Sequence, residues 1–505
     1  MGKGRVIFLK NAALLTVTSL ALRLVGMVFR VWLATNIGAE GMGLYQQIFS
    51  LYALVSVFAV SGVGVAVTRL ISEDLTLRGR EGVIRTVSLC QASTLITAVA
   101  SGLLVFFGAD LYSVYIMSDV RAILPIKIMS FSLPFMGVSA VFKGYFFARK
   151  KALPNSSSQL IEQAVRIGFI ITVFKSGAVD TSLSAAAVFA GDVLAEATAA
   201  LWLGLCYISD RKKIPLAKIP AGGRKKLLRN LIRIAAPIAS GKYLNSLLRT
   251  AENLLVPSSL RKYGLTAESA LAVFGGIKGM ALPLLLFPAG LLSSVTSLLI
   301  PEISASAAAG RRLRIRSAAE RSIALTFLTA IPLAAIFFFA SGELTELIYK
   351  EREIALTVKA LSLLLPFMYI DSVADALLKA LDLQLVTFRH AFFDSVGRII
   401  LILLLLPRFG VAGFLGVMYL SNLYTSLANL SRLTRETGAK ISFAKIILTP
   451  LLLSTTGGLL GDLAADAVGG NNLVYIILIT AAVFISQIPL LPTYLRVYDG
   501  RQFNE

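Results

Sequence analysis

The sequence predicts an all-α membrane protein with about fourteen transmembrane helices, organised as two six-helix lobes followed by two further helices. Three observations lead to this prediction. Hydrophobic residues make up 56% of the 505-residue chain and charged residues only 15%, whereas a water-soluble chain carries about 25% charged residues. Apolar runs of about 18 residues or more, long enough to span a bilayer, recur from one end to the other. Motifs of the first half of the chain also recur in the second half, in the same order.

Each apolar segment is predicted to be a helix, because backbone polar groups in hydrocarbon must be paired within their own segment. The first run is longer than a signal-peptide core and lacks a small-residue cleavage site, so we expect it to be retained. The segments between the runs are short, and no soluble domain is predicted. The fourteen predicted spans cover roughly residues 11–34, 44–70, 86–107, 122–147, 157–174, 183–207, 231–256, 269–300, 318–339, 355–380, 386–406, 411–431, 446–461 and 473–495.

The distribution of basic residues predicts the orientation. A net charge of +21 in a soluble protein would suggest nucleic-acid binding. Here Lys and Arg concentrate in the tails and in alternate loops, with eight of them between Ile208 and Asn230. The positive-inside rule then predicts that both termini are cytoplasmic, with the bilayer rather than nucleic acid as the partner. Arg69 and Lys143, close to helix ends, are expected to reach the cytoplasmic face.

The internal repeat predicts two lobes. Leu133-Pro134-Phe135-Met136 recurs as Leu365-Pro366-Phe367-Met368, and Glu162…Arg166-Ile167 recurs at the same offset as Asp394…Arg398-Ile399. Because the copies are six spans apart, the two halves should share one orientation, as in transporters with parallel repeats that bind substrate between their lobes. The predicted parts are an N-terminal lobe, a C-terminal lobe and two added helices, at residues 1–210, 211–434 and 435–505.

Several basic residues lie within predicted spans, where a charge is costly and usually functional. Arg23 and Arg30 are seven residues apart and therefore share a helical face. Arg249 and Glu252 share a face of the seventh span, and Lys278 lies in the eighth. Because an arginine offers phosphate a forked, permanently charged donor, we predict that these five residues line an anionic substrate site. The alternative is that each arginine belongs to a structural ion pair, such as Arg249 with Glu252.

Two further charged pairs are predicted to be structural. Glu162 and Arg166 are separated by four residues with the acid first, which is the favourable order on a helix. Asp394 and Arg398 repeat the arrangement in the second lobe. Because each pair neutralises itself, its presence within the membrane does not require a ligand.

The remaining acids within spans are candidates for binding a coupling cation or proton. Asp371 and Asp375 lie on the tenth span, and Asp192 and Glu196 on the sixth. The alternative for the tenth span is that Lys379, four residues after Asp375, neutralises one of its acids.

Metal and redox chemistry is not expected. The chain has two cysteines, Cys90 and Cys206, both within apolar runs, and a single histidine, His390. These are too few for a disulfide framework or a His-rich metal or catalytic site. We therefore predict no metal, no cofactor and no enzymatic activity.

Three stretches carry a family resemblance: Gly144–Arg166, Gly279–Pro288 continuing to Ile300–Ser304, and Arg23 to Gln46 with its Ile37-Gly38…Gly41…Gly43 segment. With them, the whole chain resembles the polysaccharide-biosynthesis and stage V sporulation protein B branch of the multidrug/oligosaccharidyl-lipid/polysaccharide exporter superfamily. More distantly it resembles the lipid II flippases, which carry an Arg-x-x-acid motif in the eighth helix. Here that position reads Lys278-Gly-Met-Ala281, so the cation is present and the acid is absent.

The resemblance implies a flippase that carries an undecaprenyl-pyrophosphate-linked saccharide from the inner to the outer leaflet of the bacterial cytoplasmic membrane. The saccharide would be that of lipid II or of a polysaccharide repeat unit, and we expect a monomer. An inside-negative potential would assist outward movement of a head group of charge about −2, by roughly 2.3 kcal/mol per charge per 100 mV.

Three other functions remain open from the sequence. A multidrug–cation antiporter of the same superfamily needs an acidic, aromatic pocket; the deep residues of spans one, seven and eight are mostly basic, but Asp371 and Asp375 keep this alternative open. A lipid-linked glycosyltransferase would need a nucleotide loop or metal-ligand cluster, and neither is recognisable. A non-transporting scaffold for cell-wall assembly is the third alternative.

Overall fold

The computed structural model describes residues 3–177, 181–215 and 224–494, and the regular structure within them is helical. Short π-helical and 3-10 turns lie between some of the α-helices. In chain order the α-helices are α1 (Lys3–Val60), α2 (Val63–Leu77), α3 (Gly79–Leu111), α4 (Ile123–Ser130), α5 (Ser132–Ala148), α6 (Leu153–Lys175), α7 (Thr181–Arg211), α8 (Arg224–Tyr263), α9 (Ala267–Gly275), α10 (Leu282–Ala308), α11 (Arg312–Phe339), α12 (Ser341–Tyr349), α13 (Ala355–Ser362), α14 (Leu365–Ala380), α15 (Gln384–Thr437), α16 (Thr449–Val468) and α17 (Asn472–Ser486).

The all-α membrane fold is confirmed, but the count of fourteen spans is not. Within the described residues, nine helical segments are long and apolar enough to cross a membrane, or ten if the bent pair α13–α14 forms one span. Two long helices each cover two predicted spans: α1 continues across a kink at Gly38, and α15 across one at Gly410. Helices α6 and α8, predicted as spans five and seven, are not among these candidates because their sequences are rich in polar and charged residues.

The internal repeat recurs in the local backbone. Helix α4 gives way to α5 at Phe131, whose N–H donates to the Ile128 carbonyl at 3.1 Å. The break between α13 and α14 lies at the equivalent position of the second copy, where the Leu363 N–H donates to the Ala360 carbonyl at 3.4 Å. A helix broken at the same repeat position in both halves is the structural counterpart of the Leu-Pro-Phe-Met repeat.

Side-chain contacts also recur between the two copies of the repeat, with the same residue spacing. The Lys127 ammonium lies 5.9 Å from the centroid of the Phe106 ring, and the Lys359 ammonium lies 4.8 Å from that of Phe338. The non-glycine residues with positive φ in the described part of the chain are spaced in the same way: Ser118 with Lys350, and Lys150 with Asp382. The repeat is therefore a property of the fold as well as of four-letter sequence motifs.

The chain divides into two compact units, each with its own core. The first unit comprises Met1–Phe29 and Leu44–Leu254, and the second comprises Arg30–Gly43 and Leu255–Glu505. In the first unit, α2, α3, α5 and α7 pack around buried side chains such as Tyr145 and Phe189. In the second unit, α14 packs on α10, α11 and α15, and α16 and α17 pack on α11. The lobe boundaries predicted after residues 210 and 434 remain predictions.

Two glycines of the second unit allow its first segment, Arg30–Gly43, to pack closely against α9. A Cβ atom on Gly43 would lie 2.1 Å from the Leu271 carbonyl oxygen, and one on Gly275 would lie 1.9 Å from that of Ala39. Any larger residue would push the Arg30–Gly43 segment of α1 away from α9. These glycines therefore hold α1 against the helix that leads to Lys278.

Candidate functional site

A pocket with a basic wall lies within the first unit, and we call it the basic pocket. Its volume is about 860 Å³. The end of α1, helices α2 and α5, and one residue of α8 form its wall. The lining residues are Ser56, Val57, Val60, Ser61, Gly62, Gly64, Val65, Thr68, Arg69, Ala140, Lys143, Gly144, Phe147 and Lys242.

Small residues allow the backbones around the basic pocket to approach closely. A Cβ atom on Gly144 of α5 would lie 2.8 Å from the Gly64 carbonyl oxygen of α2. The Thr68 hydroxyl joins the same two helices, because it lies 2.7 Å from the Gly64 carbonyl and 3.1 Å from that of Gly144. Gly62 adopts a left-handed conformation with φ of 77°, and a Cβ atom there would lie 2.5 Å from the Ala235 carbonyl. This packing fixes the helices that carry the basic side chains.

The basic pocket is electrostatically suited to an anion. Arg69, Lys143 and Lys242 contribute to its wall, and no carboxylate is among the lining residues described above. The Nε atom of Arg69 lies 3.6 Å from Glu73, but both side chains are more than half exposed, so this pair contributes at most about 1 kcal/mol. Guanidinium and ammonium groups beside hydroxyls are the donors that bind phosphate oxygens.

The sequence assigned Arg69 and Lys143 to the membrane surface and gave no role to Lys242. These three residues lie on three different helices, so their convergence has no signature in sequence spacing. The available signal was the set of glycines, Gly62, Gly64 and Gly144, which indicated close helix packing at that position.

The predicted substrate-binding cations are distributed over both units. Arg23 on α1 and Arg249 on α8 belong to the first unit, and both are exposed. Glu252 is 4% exposed in the same unit. It lies next to the segment that binds α1, where Thr250 bonds to the Ser50 carbonyl at 3.1 Å.

Arg30 and Lys278 belong to the second unit, where they lie around one turn. Lys278 is part of a π-helical turn, Gly276–Ala281. The Tyr349 hydroxyl donates to the Met280 carbonyl of this turn at 3.0 Å, and Arg30 lies close enough for its charge to act on that hydroxyl. A Cβ atom on Gly279 would meet the Met42 side chain at 3.0 Å. Lys278 is thus part of the turn that contacts α1. Arg30 lies on α1, near the tyrosine that donates a hydrogen bond to this turn.

The first predicted structural pair belongs to a larger buried network, which we call the acidic cluster. Arg166 Nη2 lies 2.9 Å from Glu162 Oε1, as the i, i+4 spacing predicts. The Nε atom of Arg166 lies 2.5 Å from Asp192 on α7. Lys143 Nζ lies 3.9 Å from the other oxygen of Glu162. Glu196, one turn after Asp192, is only 7% exposed and experiences the charges of all four groups.

The second predicted pair forms a simpler arrangement. Arg398 is ion-paired with Asp394, which is 7% exposed. The Ser421 hydroxyl donates to the other Asp394 oxygen at 2.6 Å. Asp394 is therefore paired with one base and one hydroxyl, and its charge also acts on Asp371. Both predicted ion pairs are present in the structure, while their purely structural role remains a prediction.

The acids proposed for a coupling ion lie in a polar chain of the second unit. Asp375 is paired with Lys379 at 2.6 Å. Asp371 accepts a hydrogen bond of 2.8 Å from Asn429 Nδ2, and the Asn429 carbonyl oxygen lies 2.7 Å from His390 Nδ1. Because the amide nitrogen of Asn429 points to Asp371, its oxygen accepts the proton of His390 Nδ1. No sequence motif connects His390 with Asp371.

The sequence is similar to a known protein family and to a protein of Bacillus subtilis. The family described as "Polysaccharide biosynthesis protein" matches residues 8–307. Stage V sporulation protein B of Bacillus subtilis is 26% identical over 419 residues, which cover 80% of this chain and 79% of that protein.

Solved structures give the same fold. The inward closed conformation of the lipid II flippase MurJ matches 95% of this chain and 99% of its own, with a TM-score of 0.71 and 16% identity. An inward-facing multidrug resistance MATE family transporter of the MOP superfamily matches 84% and 98%, with a TM-score of 0.65 and 13% identity. At these identities the likeness concerns the fold alone.

The resemblance to this branch is therefore confirmed. The match covers more than half of the chain, including the first copy of the repeat motifs, the glycines around the basic pocket and the acidic cluster. The chain belongs to the polysaccharide biosynthesis protein family.

Proposed function

We propose that the chain is a flippase that moves an undecaprenyl-pyrophosphate-linked saccharide from the inner to the outer leaflet by alternating access. The observation that supports this most directly is the basic pocket, whose wall carries Arg69, Lys143 and Lys242. A pyrophosphate head group supplies the oxygens that such a wall binds. The similarity to a protein named as a lipid II flippase supports the same substrate class.

The predicted topology gives the basic pocket a place in the transport cycle. Arg69 lies near the end of the second predicted span and Lys143 near the end of the fourth, and the distribution of basic loops predicts that these ends are cytoplasmic. A pocket on that side receives substrate from the inner leaflet. The inside-negative potential then favours release of the anion outside, at roughly 2.3 kcal/mol per charge per 100 mV.

We further propose that Arg23, Arg30, Arg249 and Lys278 bind the head group later in the cycle, with Glu252 orienting Arg249. Arg23 and Arg249 are exposed in their unit. Arg30 and Lys278 lie around the same turn of the second unit. Forked arginine donors fit phosphate more closely than lysine does.

The test is flipping of a fluorescent undecaprenyl-pyrophosphate disaccharide by purified protein in vesicles. Arg23→Ala and Arg30→Ala should each reduce the initial rate at least tenfold, whereas Arg→Lys at either position should retain part of the activity. Lys143→Ala and Lys242→Ala should weaken binding of undecaprenyl pyrophosphate relative to undecaprenol.

The matched control is Lys127→Ala, which removes an ammonium paired with Asp110 at 2.8 Å and outside the basic pocket. It should flip at the parental rate. Parental rates for both Arg23→Ala and Arg30→Ala would contradict the proposed roles of the arginines. Failure of the parental protein to flip the lipid, together with failure to replace a depleted lipid II flippase in cells, would contradict the function itself.

A multidrug–cation antiporter is the second candidate, favoured by the MATE fold similarity and by the buried acids Asp192 and Glu196. An organic cation needs an accessible acidic and aromatic site, whereas the wall of the basic pocket is cationic. Proton-driven uptake of ethidium into the same vesicles, without flipping of the pyrophosphate lipid, would favour this candidate.

A further inference from the structure

The acidic cluster of the first unit contains more carboxylates than cations. The proposed flipping step gives this excess of acids no role. Glu162 on α6 and Asp192 and Glu196 on α7 contribute three carboxylates, while Arg166 and Lys143 contribute two cations. Asp192 and Glu196 are each 7% exposed. If every group is ionised, the buried cluster carries one excess negative charge.

Glu196 is the carboxylate of the cluster whose negative charge is least balanced by a nearby donor or cation. Its Oε2 atom is buried and has no hydrogen-bond partner among the described residues. Arg166 instead contacts Glu162 and Asp192, at 2.9 and 2.5 Å. A buried carboxylate oxygen without a donor is unfavourable when ionised and is stabilised by protonation.

The groups that face Glu196 from the other helices do not remove the imbalance. From α6 these are Glu162 and Arg166, and from α5 Lys143. Tyr45 and Tyr52 of α1 face the same cluster. Their hydroxyls are neutral, and therefore the cationic charge near Glu196 depends on Arg166 and Lys143.

Lys143 connects this cluster to the basic pocket. Its side chain is part of the pocket wall, and its ammonium lies 3.9 Å from Glu162. At that distance it is not held by a close hydrogen bond to the carboxylate. An anion in the pocket and the buried carboxylates therefore compete for one ammonium group.

We propose that Glu196 is a proton-binding site that is coupled through Lys143 to the anion-binding pocket. When a phosphate-bearing ligand draws the Lys143 ammonium toward the pocket, the three carboxylates retain only Arg166, and Glu196 takes up one proton from water. Release of the anion returns Lys143 to the cluster and releases the proton. This coupling rests on the anion-binding role of the basic pocket in the proposed function.

The second unit provides an internal contrast. At the repeat-equivalent positions, Asp394 faces Arg398 and receives the Ser421 hydroxyl at 2.6 Å. The pair itself contains one acid and one base, and Asp371, the further acid on which the charge of Asp394 acts, accepts a hydrogen bond from Asn429. The excess acid in the first unit comes from Asp192 and Glu196, whose counterparts in the second copy of the repeat are Tyr424 and Ala428.

The test measures protons taken up when the full-length protein in nanodiscs binds undecaprenyl pyrophosphate, with inorganic pyrophosphate as the lipid-free probe. Calorimetry in buffers of different ionisation enthalpy counts these protons. Beyond the protons that the pyrophosphate group itself exchanges with solvent, the parental protein should take up close to one proton, and this uptake should raise its affinity up to tenfold per unit decrease in pH. Binding of the lipid but not of free pyrophosphate would assign the coupled ligand to the lipid source.

Glu196→Gln resembles the protonated side chain and should fold, bind the probe and take up about one proton less than the parental protein, because only the exchange by the pyrophosphate group itself remains. Lys143→Gln should bind more weakly and also lose proton uptake, which provides a second test if Glu196→Gln is poorly produced. Asp110→Asn removes an exposed carboxylate of the same unit and should keep parental uptake. Proton uptake equal to that of the parental protein in both Glu196→Gln and Lys143→Gln would overturn the proposal.

The two proposals fail in distinguishable ways. Flipping of the pyrophosphate lipid without proton uptake would leave the flippase function intact and overturn the coupling. Absence of any binding by either probe would contradict both. Proton uptake that depends on Glu196, in a protein that binds pyrophosphate lipid but does not flip it, would support the coupling and contradict the transport function.

Discussion

At the scale of single residues, the two repeat-equivalent arginines show how similar sequence patterns acquire different surroundings. Arg166 contacts Glu162 and Asp192 and donates to Gln163 at 2.9 Å. Arg398 is paired with Asp394. Because a buried ion lacks water, its stability depends on the partners that the neighbouring helix supplies.

The Asp394–Arg398 pair gives the clearer prediction about the stability of the folded protein. Arg398→Leu should leave Asp394 as an unpaired buried carboxylate and lower stability by about 3–5 kcal/mol. The measurement is the yield and melting temperature of monodisperse protein after detergent extraction. Exchanging the two residues, Asp394→Arg with Arg398→Asp, should restore part of the yield. Normal folding combined with lost transport in Arg398→Leu would instead place the pair in the transport mechanism.

At the scale of helices, breaks and glycine contacts decide where functional side chains lie. Helix α1 contains a kink at Gly38, where φ is 69°. After this kink, Gly43 fits against Leu271 and Gly275 against Ala39. The close contact holds α1 beside the helix and turn that carry Lys278.

Gly275→Ala should therefore weaken the contact between α1 and α9. A Cβ atom there would lie 1.9 Å from a backbone oxygen, so a helix must shift, and overpacking of this kind costs about 1–3 kcal/mol. A lower melting temperature should accompany reduced flipping. Gly416→Ala on α15 has no atom within 4 Å of the new Cβ and should melt at or above the parental temperature. Equal melting temperatures for the parental protein and Gly275→Ala would contradict the close packing.

At the scale of the whole molecule, charge distribution and the repeat make a joint prediction about topology. Basic loops predict cytoplasmic termini, and an even number of spans is required for both termini to share a side. Helices α1 and α15 are, respectively, 58 and 54 residues long. At about 1.5 Å per residue each is long enough to cross a ~30 Å hydrocarbon core twice if it bends at its kink.

Reporter fusions provide the measurement. A fusion after Lys226 should be active only with a cytoplasmic reporter, because it follows the most basic loop of the chain. A fusion within residues 464–472, between α16 and α17, should be active only with an external reporter. The reverse pattern at both positions would contradict the predicted orientation.

Composition, apolar runs and repeated motifs were sufficient to predict the membrane class, the helical fold and the internal repeat. Apolar runs in lipid can only satisfy their backbone as helices, and the repeat is already visible in Leu133–Met136 and Leu365–Met368. The sequence also predicted the Glu162–Arg166 and Asp394–Arg398 ion pairs, because i, i+4 partners are fixed by the helix period alone.

The contacts between charged residues of different helices could not be predicted before the packing of the helices was known. Arg69, Lys143 and Lys242 converge on the basic pocket from α2, α5 and α8, although their spacing in the chain contains no signal of it. Asn429 links Asp371 to His390 in the same way. Helical periodicity specifies which face a residue occupies, whereas packing between helices decides what that face contacts. The basic pocket and the excess acid at Glu196 therefore emerged only from the folded chain.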